Sequence, residues 1–561
     1  MTDTFDAIVI GSGISGGWAA KELTERGLKV LMIERGRAIE HQADYANELK
    51  APWEMPFRGY GDQDLLDREY AVQQKGTNFD EYTMDHFVND ADHPYQTSSD
   101  KPFQWRRGYQ LGGRSLTWGR QCQRWSDYDF SANARDGHGT DWPIRYADIA
   151  PWYDHVERYI GVNGSHEGLP QLPDGEFQPP MPLSAGEKAL ASRIAAAYPD
   201  RRLIPGRSAN LTVAKEDEGR AQCQYRYLCA RGCSYGAYFS TQSSTLPAAR
   251  KTGRLTLQTD MIVERIEHDP KTGRAVAVHC IDARTRARHR YAARIFFLNA
   301  SSFNSVGVLL RSSSEGFPQG LANRSGVLGR FIMDHATAVA GIATAPGLED
   351  RTYFGNRPSN FVIPRFRNLD TADPRFVRGY SYQGVGIRAN WPRGVHLPGV
   401  GPSLRRELAS PGEWRIFMVA FAECLPRADN RVTLSKATDA WGMPQLDIRL
   451  HQGENERALL SDAASEARAM LGLLGGSILA SVAEPDLAGS AVHEMGGARM
   501  GHDPATSVLN AHNQAHDVPN LFVTDGAMMA SSACQNPSLT YMALTARAAA
   551  YAVEQMQAGR L

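Results

Sequence analysis

The sequence lacks any surplus of charge. Its 561 residues carry 61 basic and 62 acidic side chains, a balance that offers nothing to nucleic acid or to an anionic membrane surface. Long hydrophobic runs are also missing. The longest, between Arg468 and Glu484, is Gly-rich and about 15 residues, short of the ~20 a membrane helix needs. A chain soluble by itself, with no membrane segment, is the expectation. Met1 to Ile10 has neither a basic leader nor an extended apolar stretch, so no signal peptide is expected there. Cysteine is sparse and odd in number, seven in all, which argues against a disulfide framework. Cys122, Cys280, Cys424 and Cys534 stand singly, whereas Cys223, Cys229 and Cys233 crowd into one segment. No internal repeat or low-complexity tract is present. What the chain does have is length, and its size implies two interleaved domains.

The start reads as strand, tight turn, helix, strand. Ala7 to Ile10 is an apolar run suited to a buried parallel strand, and Leu28 to Ile33 is a second. Between them Trp18, Ala19, Ala20 and Leu23 recur on one side of a helix that Gly27 ends. Residues 37 to 105 are polar, aromatic-rich and aperiodic, the pattern of a functional excursion or of a segment that covers a partner. Strands are expected over Leu255 to Ile266 and Ile295 to Leu298. From about 335 to 450, short β-like runs such as Ile416 to Ala420 alternate with Pro/Gly turns, which predicts an inserted antiparallel sheet. An Ala-rich helix is expected from about Leu539.

Gly11-Ser12-Gly13-Ile14-Ser15-Gly16 is G-x-G-x-x-G placed after a strand and at the opening of a helix. That context is the dinucleotide fingerprint. Gly11 permits the turn, Gly13 lets a pyrophosphate approach the backbone, and Gly16 allows close helix packing. The free N–H groups of the helix start, with Ile14 and Ser15, face the phosphates. Glu34 ends the second strand 18 residues past Gly16, placed to accept hydrogen bonds from ribose hydroxyls, with Arg35 beside it.

Three further segments resemble the glucose–methanol–choline (GMC) oxidoreductase family. Leu111 to Gly119 is similar to its second glycine-rich segment, which lies along the flavin, here offering Gly112, Gly113, Ser115 and Thr117. Thr117 stands where pyranose-oxidising relatives attach flavin to a histidine, so the resemblance implies non-covalent FAD. His493 to Gly501 resembles the H-x-x-G-T-x-x-M-G signature, with Gly497 in place of the usual threonine. Val523-Thr524-Asp525-Gly526 and Gln535 to Thr540 complete the set. The family's acid, matched by Asp525 and followed by Gly526, binds the ribityl chain. Its Asn-Pro turn, matched by Asn536 and Pro537, serves flavin N5, and the helix start at Ser538 faces the N1/C2 edge. Val263 matches a backbone contact to adenine. The implied fold is α/β, a Rossmann-like FAD-binding domain with an interleaved α+β substrate domain built on an antiparallel sheet. The FAD domain is expected over 1–45, 100–155, 210–320 and 485–561, including the cysteine-rich 222–238. Residues 46–99 form an excursion or lid, and 156–209 with 321–484 form the substrate domain.

Removing hydride from an alcohol needs an acceptor over the C–H, a base for the O–H proton and a group that holds the oxygen. Neutral imidazole suits the proton, its ordinary pKa being near ~6.5. His493 is the expected base and Asn536 the anchor. For His335, packing or hydrogen bonding is the expectation. Glu494 either contacts substrate or pairs with Arg499. Trp105, Tyr109, Trp118 and Trp125 fit sugar stacking or core equally well.

The cysteine trio is open to three readings: buried thiols, structural zinc, or an iron–sulfur site. Zinc usually wants four closed ligands; three thiolates suit a three-iron cluster, since thiolates are normally one for each iron. The spacing resembles the [3Fe-4S] segment of FAD-dependent sugar dehydrogenase catalytic subunits. That likeness implies a dehydrogenase with a small partner subunit and a c-type cytochrome acceptor, exported with its partner or retained in the cytoplasm. His493 to Gly501, Asn520 to Thr540 and Arg107 to Trp125 look most like the glucoside 3-dehydrogenase branch, which implies oxidation of the C3 hydroxyl of glucosides. An oxidase or quinone-dependent dehydrogenase of the same fold, and a flavin-retaining lyase, are the alternatives.

Overall fold

The structure, a computed structural model, describes residues 5–353, 355–390, 393–394 and 397–561; the first four residues of the leader reading lie outside them. Four apolar residues in succession bury on both faces as the end of β1 (Phe5–Ile10). Gly11 turns the chain at φ +95° into α1 (Ile14–Glu25), where Trp18, Ala19, Ala20 and Leu23 are fully buried. Gly27, at φ +92°, reverses the chain, and the Leu28 N–H closes onto the Leu23 carbonyl. That closure uses up the first residues of the expected strand, so β2 is only Val30–Ile33.

α2 (Ala185–Ala197) and β3 (Ile204–Pro205) come next among the elements that bear on the site. The run Leu255 to Ile266 is two strands, not one. β4 (Leu255–Gln258) lies parallel to β2, and β5 (Met261–Asp269) pairs antiparallel with β6 (Arg274–Asp282). Asp260, at φ +55°, breaks them apart, its N–H held by the Gly36 carbonyl. β7 (Arg288–Leu298) outruns its apolar end: the first half pairs with β6 and the last residues run parallel to β1. α3 (Phe303–Arg311) follows. Then come β8 (Ala336–Thr344), β9 (Phe361–Ile363), β10 (Tyr380–Arg388), β11 (Trp414–Ala422), α4 (Glu454–Gly472), β12 (Ile478–Ala480), β13 (Leu521–Val523) and α5 (Ser538–Gln557).

Two sheets result. The first runs β4-β2-β1-β7-β6-β5, with β13 also on β7. Chain order reverses beside β1, so the carboxyl ends of β1 and β7 open side by side, the usual ligand crevice of a doubly wound sheet. The second is antiparallel, β12-β8-β11-β10-β9-β3, as the alternating runs predicted. One face packs on α2 and α4 through Leu190, Ile194, Leu459, Ala463 and Leu471. Small residues on β8 let α4 close in: a Cβ on Gly341 would lie 2.4 Å from Leu471 Cδ1. Residues 37–105 hold one short α-helix, Gln63–Glu69, three single 3-10 turns and a two-residue strand, Gln96–Thr97, that pairs with Pro444–Arg449.

Candidate active site

At the carboxyl ends of β1 and β7 the glycines divide by role. A Cβ on Gly11 would meet the Asn299 carbonyl oxygen at 2.3 Å, and one on Gly16 the Gly11 carbonyl oxygen at 1.9 Å. Both positions are fixed by packing. A Cβ on Gly13 would meet nothing within 4 Å, so the protein leaves space over that backbone. The second glycine segment docks on the first. Gly112 and Gly113 take φ +84° and +50°, and the Gly112 N–H donates to Ser12 Oγ at 2.8 Å. Ser12 Oγ in turn donates to Glu34 Oε2 at 2.5 Å, while the Ser12 and Gly36 N–H groups donate to the same carboxyl at 3.1 and 2.9 Å. Burial raises the Glu34 pKa against those donors. Three of a carboxylate's roughly four acceptor positions are thereby taken, with one left for a hydroxyl.

Ile14 and Ser15 form the first turn of α1. The Arg35 guanidinium lies over the Tyr109 ring, 4.0 Å from its centroid. Ser115 Oγ accepts the Thr241 N–H at 3.1 Å, and the Thr117 carbonyl accepts from Asn78 at 2.9 Å. Val263 lies in β5 opposite Cys280, where the ladder register breaks. Two buried polar atoms at this crevice have no protein partner, Asn299 Nδ2 and Gln242 Oε1. Open backbone at Gly13 and orphaned polar groups around it fit a dinucleotide cofactor.

The second half of the site joins His493, Asn536 and two residues the sequence did not mark as its partners. His335 Nε2 faces the Ala533 carbonyl, which can only accept. The proton must therefore be on Nε2, leaving Nδ1 as the acceptor for His493 Nδ1–H at 2.8 Å. His493 Nε2 is then the acceptor, and the Asn536 amide nitrogen donates to it at 3.1 Å. Asn536 Oδ1 accepts from Gln383 at 2.5 Å, which fixes the amide with its nitrogen toward His493. The donor directions thus set both tautomers. His335 is fully buried and His493 half-buried. Burial pulls the His335 pKa down to about 4. Burial, with His335 and Arg114 nearby, holds His493 well below its ordinary value. Both rings are neutral near pH 7. A hydroxyl that displaces this bond meets one acceptor, His493 Nε2, and one donor, the Asn536 amide.

Asp334 anchors this segment from below. Its carboxyl accepts the His493 N–H at 3.0 Å and the Gly489 N–H at 2.9 Å, and burial raises its pKa to about 7. The Asp334, His335 and His493 ligand atoms lie within 4.8 Å of one another. Each is committed to a hydrogen bond, which does not suit a metal. Glu494 pairs with Arg114 of the second glycine segment and not with Arg499. Gly496 and Gly497, at φ +80° and +99°, swing the chain so that Arg499 lies on the Phe331 ring, 3.6 Å from its centroid. Asp525 accepts from Ser302 N–H at 3.0 Å, Ser305 Oγ at 2.5 Å and Ala527 N–H at 3.0 Å, and burial lifts its pKa to about 6. Gly526 is buried, and Pro537 caps α5, which begins at Ser538. Ser301 and Ser302, at φ +76° and +39°, are strained at the end of β7, a feature that collects at functional sites. Trp105 and Trp125 are core residues, and Trp118 donates to the Phe239 carbonyl at 2.9 Å; Tyr109 is covered by Arg35.

Cys223, Cys229 and Cys233 line one small recess with Asn210, Gly232 and Tyr238. The loop bends hard around it, with Tyr225 and Tyr227 at φ +55° and +58° and Gly232 at +95°. Cys223 Sγ accepts the Tyr225 N–H at 3.5 Å. Burial pushes the Cys223 thiol up to about 11 and raises Cys233 as well. Tyr238, on the wall of this recess, donates its hydroxyl to the Leu116 carbonyl at 2.8 Å, inside the second glycine segment.

A doubly wound sheet with a phosphate turn, and a neutral imidazole–amide pair facing the same crevice, define a flavin-type oxidoreductase. Two profiles of the GMC oxidoreductase family match residues 5–337 and 426–545, and the chain belongs to this family. It is an FAD-dependent enzyme that acts on CH–OH donors. It is 29% identical to the 2-methyl-1,2-propanediol dehydrogenase of Mycolicibacterium austroafricanum, over 98% of this chain and 95% of that one. It is 25% identical to the fructose dehydrogenase large subunit of Gluconobacter japonicus, over 99% and 98%. Among solved structures, a pyridoxine 4-oxidase from "Mesorbium loti" superposes with a TM-score of 0.61 at 17% identity, covering 97% of this chain and 98% of that one.

Proposed function

We propose that the protein is a sugar dehydrogenase that oxidises a secondary hydroxyl, the C3 hydroxyl of a glucoside, to the ketone. In this reading His493 Nε2 takes the hydroxyl proton, and Asn536, held by Gln383, keeps the oxygen in line as it becomes a carbonyl. The observation that carries it is the fixed tautomer of His493: its acceptor nitrogen is the one that meets the Asn536 amide. FAD, held without a covalent bond, supplies the hydride acceptor. Gly11, Gly13, Gly16 and Glu34 would hold its adenosine end with Arg35 and Val263. Gly112, Gly113, Ser115, Thr117, Asp525, Gly526, Pro537 and Ser538 would hold its flavin end.

The reading extends to the cysteines. Cys223, Cys229 and Cys233 would ligate a [3Fe-4S] cluster, which carries single electrons onward. Three thiols that line one recess suit a ligand whose irons each take one sulfur. The Tyr238 to Leu116 bond joins that loop to the flavin-side segment. The fructose dehydrogenase relative is a large subunit, which supports an assembly with a small subunit; a cytochrome-type acceptor would take the electrons. Anaerobic visible and EPR spectra before and after methyl glucoside test the whole. Bleached flavin, an EPR-active cluster and a C3 ketone by NMR are expected. Flavin left yellow would end the sugar reading. Bleaching without an EPR signal, with peroxide formed in air, would make it an oxidase.

A further inference from the structure

Four arginines border the recess of Cys223, Cys229 and Cys233, and they are not alike. Arg226 pairs with Glu48, and Arg220 pairs with Glu218 at 3.2 Å. Arg231 is half-buried, its guanidinium on the Tyr82 ring 3.4 Å from the centroid. Arg120 is 7% exposed and has no carboxylate partner among the described residues. Its side chain makes a single hydrogen bond among them, from Nη1 to the Trp118 carbonyl at 2.5 Å, and its Nε is buried without a partner.

The backbone holds Arg120 in this place. It takes φ +60°, where a side chain is strained, and its carbonyl accepts from the Ala209 N–H at 2.9 Å and from Cys122 Sγ at 3.5 Å. The guanidinium lies over the Tyr238 ring, 5.5 Å from its centroid, and Tyr238 lines the recess. Burial raises the Cys223 thiol, and the positive charge of Arg120 acts against it. The Glu48–Arg226 and Glu218–Arg220 pairs cancel, which leaves Arg120 as the uncompensated buried charge beside the thiols.

A buried guanidinium without an anion is costly. Three cysteines that ligate iron do so as thiolates, so an iron–sulfur group in this recess carries net negative charge. The donor set and the orphaned Nε both fit such a group. Each arriving electron deepens that negative charge, and a fixed positive side chain nearby favours the reduced form.

We propose that Arg120 is the counter-charge of the cysteine site and raises its reduction potential. This rests on the cluster reading above and adds what tunes it. In each transfer reduced flavin gives up one electron and the cluster gains one. Two transfers, with the one-electron acceptor emptying the cluster between them, clear the hydride's two electrons, and the flavin's proton passes to solvent. Arg120 directly follows Leu111–Gly119, so one stretch of chain serves the flavin side and the cysteine side.

The test is a redox titration of the holoenzyme that follows the EPR signal of the oxidised cluster against applied potential, with iron and FAD counted per protein. Arg120→Gln keeps a donor for the Trp118 carbonyl and removes the charge. It is expected to cut the reduced-to-oxidised ratio at a given potential by roughly tenfold, a fall of about 59 mV in midpoint. Arg120→Lys keeps the charge and should stay near the unaltered protein. An unmoved midpoint in Arg120→Gln overturns the proposal and leaves the cluster standing. An equal fall in Arg120→Lys also overturns it, because the loss is then one of packing and not of charge. If Arg120→Gln retains no iron, Arg120→His decides. Its midpoint should fall as pH rises through the imidazole range, more steeply than that of the unaltered protein, and parallel slopes overturn the proposal. Unaltered protein with neither iron nor an EPR signal ends the cluster reading and this inference together.

Discussion

Substituting His335 by leucine removes the acceptor that holds the Nδ1 proton of His493. Two outcomes follow, and both slow the chemistry. If the tautomer persists, a donor is left unpaired in a buried site, at a cost of about 1–3 kcal/mol. If the proton moves to Nε2, the nitrogen that faces Asn536 can no longer take one. The loss is felt most when His493 is protonated, because the Nδ1–H then becomes a charged donor worth about 1.5–3 kcal/mol. That corresponds to roughly a 10- to 150-fold fall in the rate of flavin reduction. His335 is a positioning residue and does not border the hydroxyl, so KM for methyl glucoside should move little. Stopped-flow bleaching at saturating glucoside measures the effect, with bound flavin per protein confirming an intact fold. His335→Asn keeps an acceptor oxygen and should recover part of the rate. Bleaching by His335→Leu within about twofold of the unaltered protein would refute the tautomer assignment.

The remaining expectations use other parts of the molecule. Gly13→Ala should leave the melting temperature of the FAD-free protein unchanged and cut FAD occupancy, because its new methyl meets only the space left for the cofactor. Gly16→Ala should destabilise the fold by several kcal/mol, because its methyl strikes the Gly11 carbonyl; equal melting losses for the two would contradict the division of roles. Flavin reduction should stay flat from pH 8 to about pH 6 and fall only below, since both imidazoles are held under ordinary histidine values; an acid limb at or above pH 6.5 would exclude His493 as the base. His335 also bears on stability. With a folded pKa near 4 against about 6.5 unfolded, its contribution is present above pH 6.5 and lost as pH falls toward 4, so the stability gap between the unaltered protein and His335→Asn should narrow over that window. Cys223→Ser should abolish the EPR signal and slow turnover with cytochrome c by roughly tenfold or more while glucoside still bleaches the flavin; an unchanged signal would remove that cysteine from the cluster.

The legible part of the site is the part written in backbone. Gly11, Gly13, Gly16, Gly112 and Gly113 were readable because turns at positive φ and close approaches to a cofactor admit few other residues, and such constraints are local. The antiparallel sheet was readable from period-two alternation for the same reason. Glu34 was placed correctly at the end of β2, but its tie to Ser12 Oγ needs the second glycine segment to arrive from a hundred residues away. Arg114 as the partner of Glu494 was missed because Arg499 was nearer in sequence, and sequence distance says nothing once two positive-φ glycines intervene. Gln383 left no trace: a lone glutamine in a strand has no motif. The strained Ser301–Ser302 pair had a signal, a polar run directly after a fully apolar strand end, which was passed over.

His335 shows why side-chain networks resist this kind of reading. Its hydrogen-bond chain begins on the Ala533 carbonyl, three residues before Asn536. The same short segment therefore fixes the tautomer of His493 through main chain and supplies its amide partner through a side chain. Gln383 and Ser381 bind this segment to the sheet, at Asn536 and at the Cys534 carbonyl. Base, anchor and sheet consequently move as one unit, and changes at His335, Gln383 and Asn536 should not add in the free energy of activation. A motif search sees the histidine and the asparagine as two matches about forty residues apart. The chemistry depends on the peptide oxygen between them, which any sequence would provide and only this fold aims.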